Sequence, residues 1–333
     1  MVTPASDSPA LPDEALPDDA VPTAADAELL REMTPVAEEL FERHLKRCKH
    51  WYPHEHVPWS EGRDFAVGER IEEFQLPEAV RSSLFVNLLT EDNLPYYTLA
   101  LTSLTGMDDV WGEWIRRWTA EEGRHSIAIR DWLTVTRQLD LRELEDARMA
   151  QVQTGFFPRA IPTVADLFVY LSLQELATRI AHRNTGMLLG DAAGSEVMTR
   201  VATDENHHFL FYRDLVAAAL ERFPSVMVPA IERQVRSFEM PGAGMPAFKE
   251  HAKRIADAGI YDLPTHHSQI LVPVVLREWK VTAVENLSGA AESAREQLLT
   301  LMNRIGRVAE RMRQRRSELE LNLPRIGSRL RNA

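Results

Sequence analysis

WTAEEGRH at residues 118–125 and TDENHH at residues 203–208 decide how this chain is read, because each holds a glutamate three places before a histidine. The pairs are Glu122–His125 and Glu205–His208. On a helix, positions i and i+3 share a face, so both side chains of a pair can reach one point. A single pair of this kind is weak evidence, and the surroundings matter more. Steps of three and four through the first segment give Trp111, Trp114, Ile115, Trp118, Glu122, His125, Ile129, Trp132 and Leu133. The second gives Val197, Val201, Glu205, His208, Tyr212, Leu215 and Ala219. Both pairs therefore lie on the apolar stripe that a helix turns toward a core.

Two further segments repeat the anomaly. Leu84, Leu88, Glu91, Leu94, Thr98 and Leu101 form one stripe, and Val164, Phe168, Leu171, Glu175, Thr178 and Thr185 another. Four helices thus aim one glutamate each into an apolar interior, where an uncompensated carboxylate costs several kcal/mol, on the order of a whole buried interaction. No Lys or Arg stripe accompanies them, so metal cations are the expected counter-charge. The order is also regular: Glu91 precedes Glu122 by 31 residues and Glu175 precedes Glu205 by 30. Lone Glu, then Glu-x-x-His, twice over, is the ligand pattern of carboxylate-bridged di-iron or di-manganese bundles. Four carboxylates balance two divalent ions, and oxygen plus imidazole donors suit iron or manganese rather than a structural zinc. Pro95, four residues after Glu91, cannot donate to the Glu91 carbonyl and should break that helix beside the glutamate.

Helical patterns fill the rest of the chain and alternating strand patterns are missing from it. Helices are expected over residues 28–47, 77–104, 110–138, 163–189, 195–221, 225–240, 246–257, 266–284 and 288–320. Thr163 with Asp166 resembles a capping box at the start of the fourth. Residues 51–58, WYPHEHVP, read as a proline-broken loop, in which His54 and His56 are expected to be solvated. No Gly/Ser linker divides the chain, so one domain is expected over 26–320, between a Pro/Ala/Asp-rich disordered tail (1–25) and a basic, flexible C-terminus (321–333).

The segments LTEDNLPYY (89–97), RWTAEEGRH (117–125), LQELATRIAHRNTG (173–186) and TDENHH (203–208) resemble the soluble acyl-[acyl-carrier-protein] desaturases, and more closely their actinobacterial branch. Looser similarity extends from the first helix to REWKV (277–281). Ferritins and ribonucleotide reductase subunits share the ligand logic. The expected fold is therefore an all-α, ferritin-like or ribonucleotide-reductase-like bundle, with a central four-helix di-iron core and flanking helices. The resemblance implies iron ligands at Glu91, Glu122, His125, Glu175, Glu205 and His208. It puts an oxygen-side threonine at Thr178, and an electron route from a surface tryptophan, Trp51, through Asp204 to His125. The implied activity uses dioxygen to take two hydrogens from adjacent methylenes, making a cis double bond in an acyl chain on acyl carrier protein. It also implies two iron ions per subunit, ferredoxin as electron donor, and a homodimer. Gly123 departs from the family's usual Asn between the acid and the Arg. Trp118, Thr178, Leu101 and Met107 are candidates to line the acyl channel.

Other readings stay open on the same residues: a hydroxylase or oxidase acting on an acyl chain, an iron-storage protein, or an iron-binding paralogue without turnover. The formal charge of −12 speaks against nucleic acid as a partner. Arginines cluster from Arg304 onward, and with Lys280 and Arg277 they are candidates to dock an acidic carrier. No apolar run reaches the roughly 18–20 residues of a bilayer span. The N-terminal residues resemble neither a secretory signal nor a transit peptide. Cys48 is the only cysteine, which excludes an intrachain disulfide and suits a reducing cytoplasm.

Overall fold

Thr23 opens the first helix through a reciprocal cap. Its hydroxyl accepts from the Asp26 amide at 3.1 Å, and the Asp26 carboxylate accepts from the Thr23 amide at 3.0 Å, so two amides that a helix start leaves free are satisfied. The computed structural model describes residues 22–155, 161–245 and 247–322. Most of the two expected tails, residues 1–21 and 323–333, lies outside the described residues, but the first helix begins at Ala24, inside the stretch expected as tail.

Eleven α-helices follow one another among the described residues, with no strand. They are α1 (Ala24–Arg47), α2 (Glu78–Asp92), α3 (Leu94–Thr105), α4 (Asp109–Thr136), α5 (Leu141–Thr154), α6 (Val164–Leu188), α7 (Ala192–Arg222), α8 (Pro224–Ser237), α9 (Phe248–Asp257), α10 (Leu263–His266) and α11 (Gly289–Asn322). The expected all-α architecture is what the chain adopts. The segment expected over 77–104 divides at Asn93, where Pro95 opens α3 and removes an amide that a continuous helix needs, which is the break expected of that proline. Two details differ from the sequence reading. The segment expected as one helix over 266–284 begins within α10 and widens into a π-helical stretch, His267–Glu278, around Pro273, before a short 3-10 turn at Val281–Ala283. Finally, α5 was not foreseen.

Thr163 caps α6 as expected, its hydroxyl accepting from the Asp166 amide at 3.2 Å. Asp26 of the α1 cap also accepts from the Val164 amide at 2.8 Å, which ties the two helix starts together. α6 and α7 run against each other closely: a Cβ on Gly186 would come within 2.9 Å of Met198 Cβ. No described helix is long and apolar enough to cross a membrane.

The core has two apolar layers. Trp111, Trp114, Trp118, Phe168, Leu171, Phe211, Tyr212 and Leu215 belong to one, and Leu84, Leu88, Ile129, Trp132, Leu133, Val197 and Val201 to the other. Along α4 the change from one layer to the other falls between Trp118 and Ile129, and along α7 between Val201 and Phe209. Both Glu-x-x-His pairs fall in those intervals, so the packing that fixes helix register also fixes the polar layer between.

Of the basic C-terminal side chains, Arg316 is used internally, bonding to Asp262 at 2.9 Å and the Ala256 carbonyl at 2.6 Å. Arg325, Arg329 and Arg331 lie outside the described residues.

His266 sits away from the polar layer, buried against the Phe238 ring (4.6 Å between centroids), with Nδ1 2.8 Å from the Tyr261 hydroxyl. Burial, with a smaller push from His267, lowers its pKa to about 4. A histidine protonated in the unfolded chain but not in the folded one favours unfolding as pH falls from about 6.5 toward about 4. Between pH 7 and pH 5 the wild-type chain should therefore lose about 2 kcal/mol more stability than His266→Phe. Urea unfolding of both proteins at the two pH values checks this; equal losses would show that His266 is not held neutral.

Candidate metal centre

The stripe logic puts Glu91 on α2, Glu122 and His125 on α4, Glu175 on α6, and Glu205 and His208 on α7. All six side chains are buried. They form two overlapping groups, Glu91–Glu122–His125–Glu205 and Glu122–Glu175–Glu205–His208, and in each the ligand atoms lie within 4.8 Å of one another. Glu122 and Glu205 belong to both groups, which is where carboxylates bridging two ions must sit.

His125 Nδ1 is 3.2 Å from Glu122 Oε2, 3.6 Å from Glu91 Oε2 and 3.7 Å from Glu205 Oε1. His208 Nδ1 is 3.0 Å from Glu122 Oε1 and 3.6 Å from Glu175 Oε2. Neither His208 Nδ1 nor Glu175 Oε2 has a hydrogen-bond partner, although both are buried. Orphaned donor atoms that face each other across a few ångströms fit a cation between them.

The electrostatics agree. Burial, and then the charges of Glu122 and Glu175, push the Glu205 carboxyl well above the usual carboxylate range. Burial would lower both ligand imidazoles, yet the surrounding carboxylates outweigh it and raise His125 and His208 well above their ordinary value. Burial would also raise Glu91, but hydrogen bonds with His125 and His182 hold it near about 2. Four acids and two imidazoles at this depth gather positive charge from whatever source is at hand. Metal ions would supply it without protonating the ligands.

Three of the four acids are also held from outside. Thr178 Oγ1 donates to Glu205 Oε2 at 3.0 Å, Trp118 Nε1 to Glu175 Oε1 at 3.0 Å, and His182 Nε2 lies 3.0 Å from Glu91 Oε1. The other two site residues named from the resemblance, Trp51 and Asp204, form a connected chain with His125. Trp51 Nε1 donates to Asp204 Oδ2 at 2.8 Å, and the same oxygen lies 3.3 Å from His125 Nε2. Trp51 is not a surface residue as expected: only 5% of it is exposed, because the Arg124 guanidinium lies over its ring at 4.6 Å. Arg124 also bonds to Asp204 at 2.5 Å. Burial would raise Asp204, but His125 and Arg124 bring its carboxyl down to about 2.

His208 has a counterpart arrangement that the sequence reading missed. Its Nε2 lies 2.9 Å from Glu121 Oε2, which His44 Nε2 also approaches, at 3.0 Å. Burial pushes the His44 imidazole below its ordinary range, so it is neutral and carries a single N–H. The signal for Glu121 was present, since an acid precedes the glutamate in both motifs: Glu121–Glu122 and Asp204–Glu205. His182 stands seven residues after Glu175 on the same stripe, and His44 continues the α1 series Leu29, Met33, Ala37 and Leu40. His54 and His56 join no candidate metal group among the described residues.

A narrow cleft of about 450 Å³ opens on the acids, lined by Leu94, Tyr97, Leu101, Trp118, Leu171 and Thr178 among others. Trp118, Thr178 and Leu101 are thus where a channel wall needs them. Met107 is not among the lining residues and is 42% exposed; it precedes α4 in a connecting turn rather than on a core-facing stripe. A second cleft of about 580 Å³, bounded by Ala181, His182, Met240 and Phe248, shares Thr90, Thr178 and Pro241 with the first. At Gly123 a Cβ would meet only Leu94 Cδ2, at 3.8 Å, so the backbone there has room for a side chain.

The profile of the family described as fatty acid desaturase matches residues 25–324. A protein of Mycobacterium tuberculosis named as an acyl-[acyl-carrier-protein] desaturase, DesA1, is 39% identical over 284 residues, 82% of this chain and 84% of the relative. Stearoyl-[acyl-carrier-protein] 9-desaturase 3 of Arabidopsis thaliana, named as chloroplastic, is 29% identical over 312 residues, 86% of this chain and 77% of the relative. Among solved structures, that of DesA2 from Mycobacterium tuberculosis H37Rv superposes with a TM-score of 0.65 at 27% identity, covering 81% of this chain and 99% of that one. With four buried glutamates and two histidines gathered in one helical core, and a family match spanning nearly all of the sequence, the chain belongs to the fatty acid desaturase family.

Proposed function

We propose that this chain is a dioxygen-dependent di-iron desaturase that introduces a cis double bond into a saturated acyl chain carried on acyl carrier protein, in fatty acid and lipid biosynthesis. The observation that carries the reading is the pair of overlapping ligand groups joined by Glu122 and Glu205, open to an apolar cleft. The names of the relatives, from DesA1 to the plant enzymes, support the same activity and the same carrier.

In this reading Glu91 and His125 would hold one iron and Glu175 and His208 the other, with Glu122 and Glu205 available to both. The pair of irons, when bound, supplies the redox capacity to reduce dioxygen and to oxidise an unactivated C–H bond. In sum, one dioxygen, two external electrons and two protons remove two hydrogens from adjacent methylenes and leave a double bond and two waters. The protein's own groups do the rest. Trp118 and Thr178 hold Glu175 and Glu205 while walling the cleft. Leu94, Leu101 and Leu171 keep the cleft dry and hold the acyl chain extended beside the acids. Trp51 and Asp204 form the route by which electrons from a ferredoxin reach His125.

One domain over the described helices, from Ala24 to Asn322 rather than residues 26–320, working as a homodimer, is part of the proposal. A reducing cytoplasm is the proposed compartment. Cys48, the single cysteine, has its thiol pushed up to about 12 by burial and would stay reduced there.

Product analysis tests the whole reading. Iron-loaded protein given reduced ferredoxin, dioxygen and a saturated acyl carrier should yield a chain lacking two hydrogens by mass spectrometry, whereas a product gaining an oxygen atom would make it a hydroxylase. Glu205→Ala removes a shared ligand and should lower bound iron at both positions and abolish oxygen consumption; normal iron loading would take Glu205 out of the ligand set. Trp51→Phe keeps an aromatic ring but loses the N–H to Asp204. It should bind iron normally yet be reduced by ferredoxin roughly tenfold more slowly, and an unchanged rate in stopped-flow reduction would close that route.

A further inference from the structure

The two ligand histidines are anchored crosswise. Asp204, beside Glu205 on α7, holds His125 of α4, and Glu121, beside Glu122 on α4, holds His208 of α7. Each anchoring carboxylate also takes an arginine from α4, Arg124 for Asp204 and Arg117 for Glu121. Each then takes an outer ring from the N-terminal part of the chain, Trp51 in one arm and His44 in the other. The desaturation reading gives Trp51 a task and leaves His44 without one.

We propose that His44 is a positioning residue for the Glu175–His208 half of the centre, acting through Glu121 to hold His208 with its proton on Nε2 and its Nδ1 lone pair free for a metal. The proposal rests on the di-iron reading above. Its basis is an inventory of donors and acceptors. Glu121 Oε1 is occupied by Arg117, at 2.6 Å from Nε and 2.5 Å from the terminal nitrogen. Glu121 Oε2 faces two imidazole nitrogens, His44 Nε2 at 3.0 Å and His208 Nε2 at 2.9 Å. An ionised carboxylate only accepts, so both nitrogens carry their hydrogens toward it. With Nε2 so committed, Nδ1 is the nitrogen left to give up its proton to a metal, and it is the atom that faces Glu122 and Glu175. The Cys48 sulfur lies 3.5 Å from His44 Nδ1 and 3.3 Å from Nε2, within reach for the thiol to donate to the ring nitrogen left bare.

His44, Glu121 and His208 also stand close enough together to hold an ion themselves. The bidentate Arg117 argues against that use, because it already neutralises the only carboxylate of the group. With His44 removed, Glu121 Oε2 would have one donor instead of two and could swing toward Arg117, and His208 would lose the acceptor that fixes its tautomer. Groups in this outer position typically change metal affinity by about 10–100-fold.

The test is anaerobic titration of the metal-free chain with ferrous iron, with Mössbauer spectra to distinguish the two positions. Wild-type protein should bind two irons. His44→Asn, whose amide falls short of Glu121, should keep one tight iron and bind the other roughly 10–100-fold more weakly. His44→Gln, whose longer amide can donate to Glu121 Oε2, should restore most of that affinity. Helicity and melting temperature are followed in parallel, since a merely structural role would lower the melting temperature in both variants without separating the two irons. The proposal is overturned if His44→Asn binds both irons as tightly as wild type, weakens both equally, or is not rescued by His44→Gln. Wild-type protein that binds fewer than two irons would instead overturn the di-iron reading itself.

Discussion

The structure depends on one unfavourable act, the burial of four carboxylates within a few ångströms of one another in an apolar core. Breaking a buried ion pair costs about 3–5 kcal/mol, whereas a whole domain is stable by only about 5–15 kcal/mol. Four such groups left uncompensated would unfold the bundle. The compensation has to be built in, and it is local: a donor side chain on each of Glu91, Glu175 and Glu205, imidazoles turned toward the cluster, and a place for cations between. Two apolar layers above and below this polar sheet of side chains fix the register of α2, α4, α6 and α7. The acids cannot relax outward without unpacking Trp114, Phe211 or Leu133.

The crosswise anchoring ties catalysis to the fold in another way. Because the acid before each shared glutamate grips the histidine of the opposite motif, α4 and α7 cannot slide past each other without breaking both grips. A displacement of one turn would move every ligand of one half relative to the other. Rigid placement of this kind is what a site needs when it must hold its ligands in one geometry while the metals change oxidation state.

The acids and their helices were legible because they violate a rule. A glutamate on an apolar stripe conflicts with local expectation, and conflicts of that kind mark functional positions. Residues that obey the rule were harder to see. His44 follows FER and precedes LKR, so although it continues the buried stripe of Leu29, Met33, Ala37 and Leu40 on α1 it is easily taken for one more polar residue, and its packing against Trp114 and Glu121 reveals its place. α5 was missed for a related reason. LRELEDARMAQVQT carries a thin apolar stripe, and it is held to the bundle partly by polar contacts, Tyr96 to the Val152 carbonyl and Gln151 to Asn93. Periodicity counts apolar residues and is blind to helices docked in this way. Pro95 was read correctly as a break, while Pro273 was passed over. One stands beside a glutamate that drew attention, and the other lies in LVPVVL, where nothing else looked unusual.

The arrangement also separates the two supplies the reaction needs. The clefts are walled by α2, α3, α6, α9, Trp118 of α4 and the segment around Pro241. The anchoring arms come from α1, the loop bearing Trp51, and the outer sides of α4 and α7. An acyl chain in the clefts therefore meets Glu91, Glu122 and Glu205, while Trp51 and His44 stand behind the histidines and away from the clefts' lining. A site that must oxidise an unactivated methylene has to keep that oxidising power from its own electron donor. In the proposed route, His125 and Asp204 stand between the cleft and Trp51, joined by hydrogen-bonded contacts. His208, Glu121 and His44 interpose the same kind of chain on the other half, ending in an imidazole and a thiol rather than an indole. The arms thus divide between the two proposals, one to pass electrons and the other to hold its histidine still.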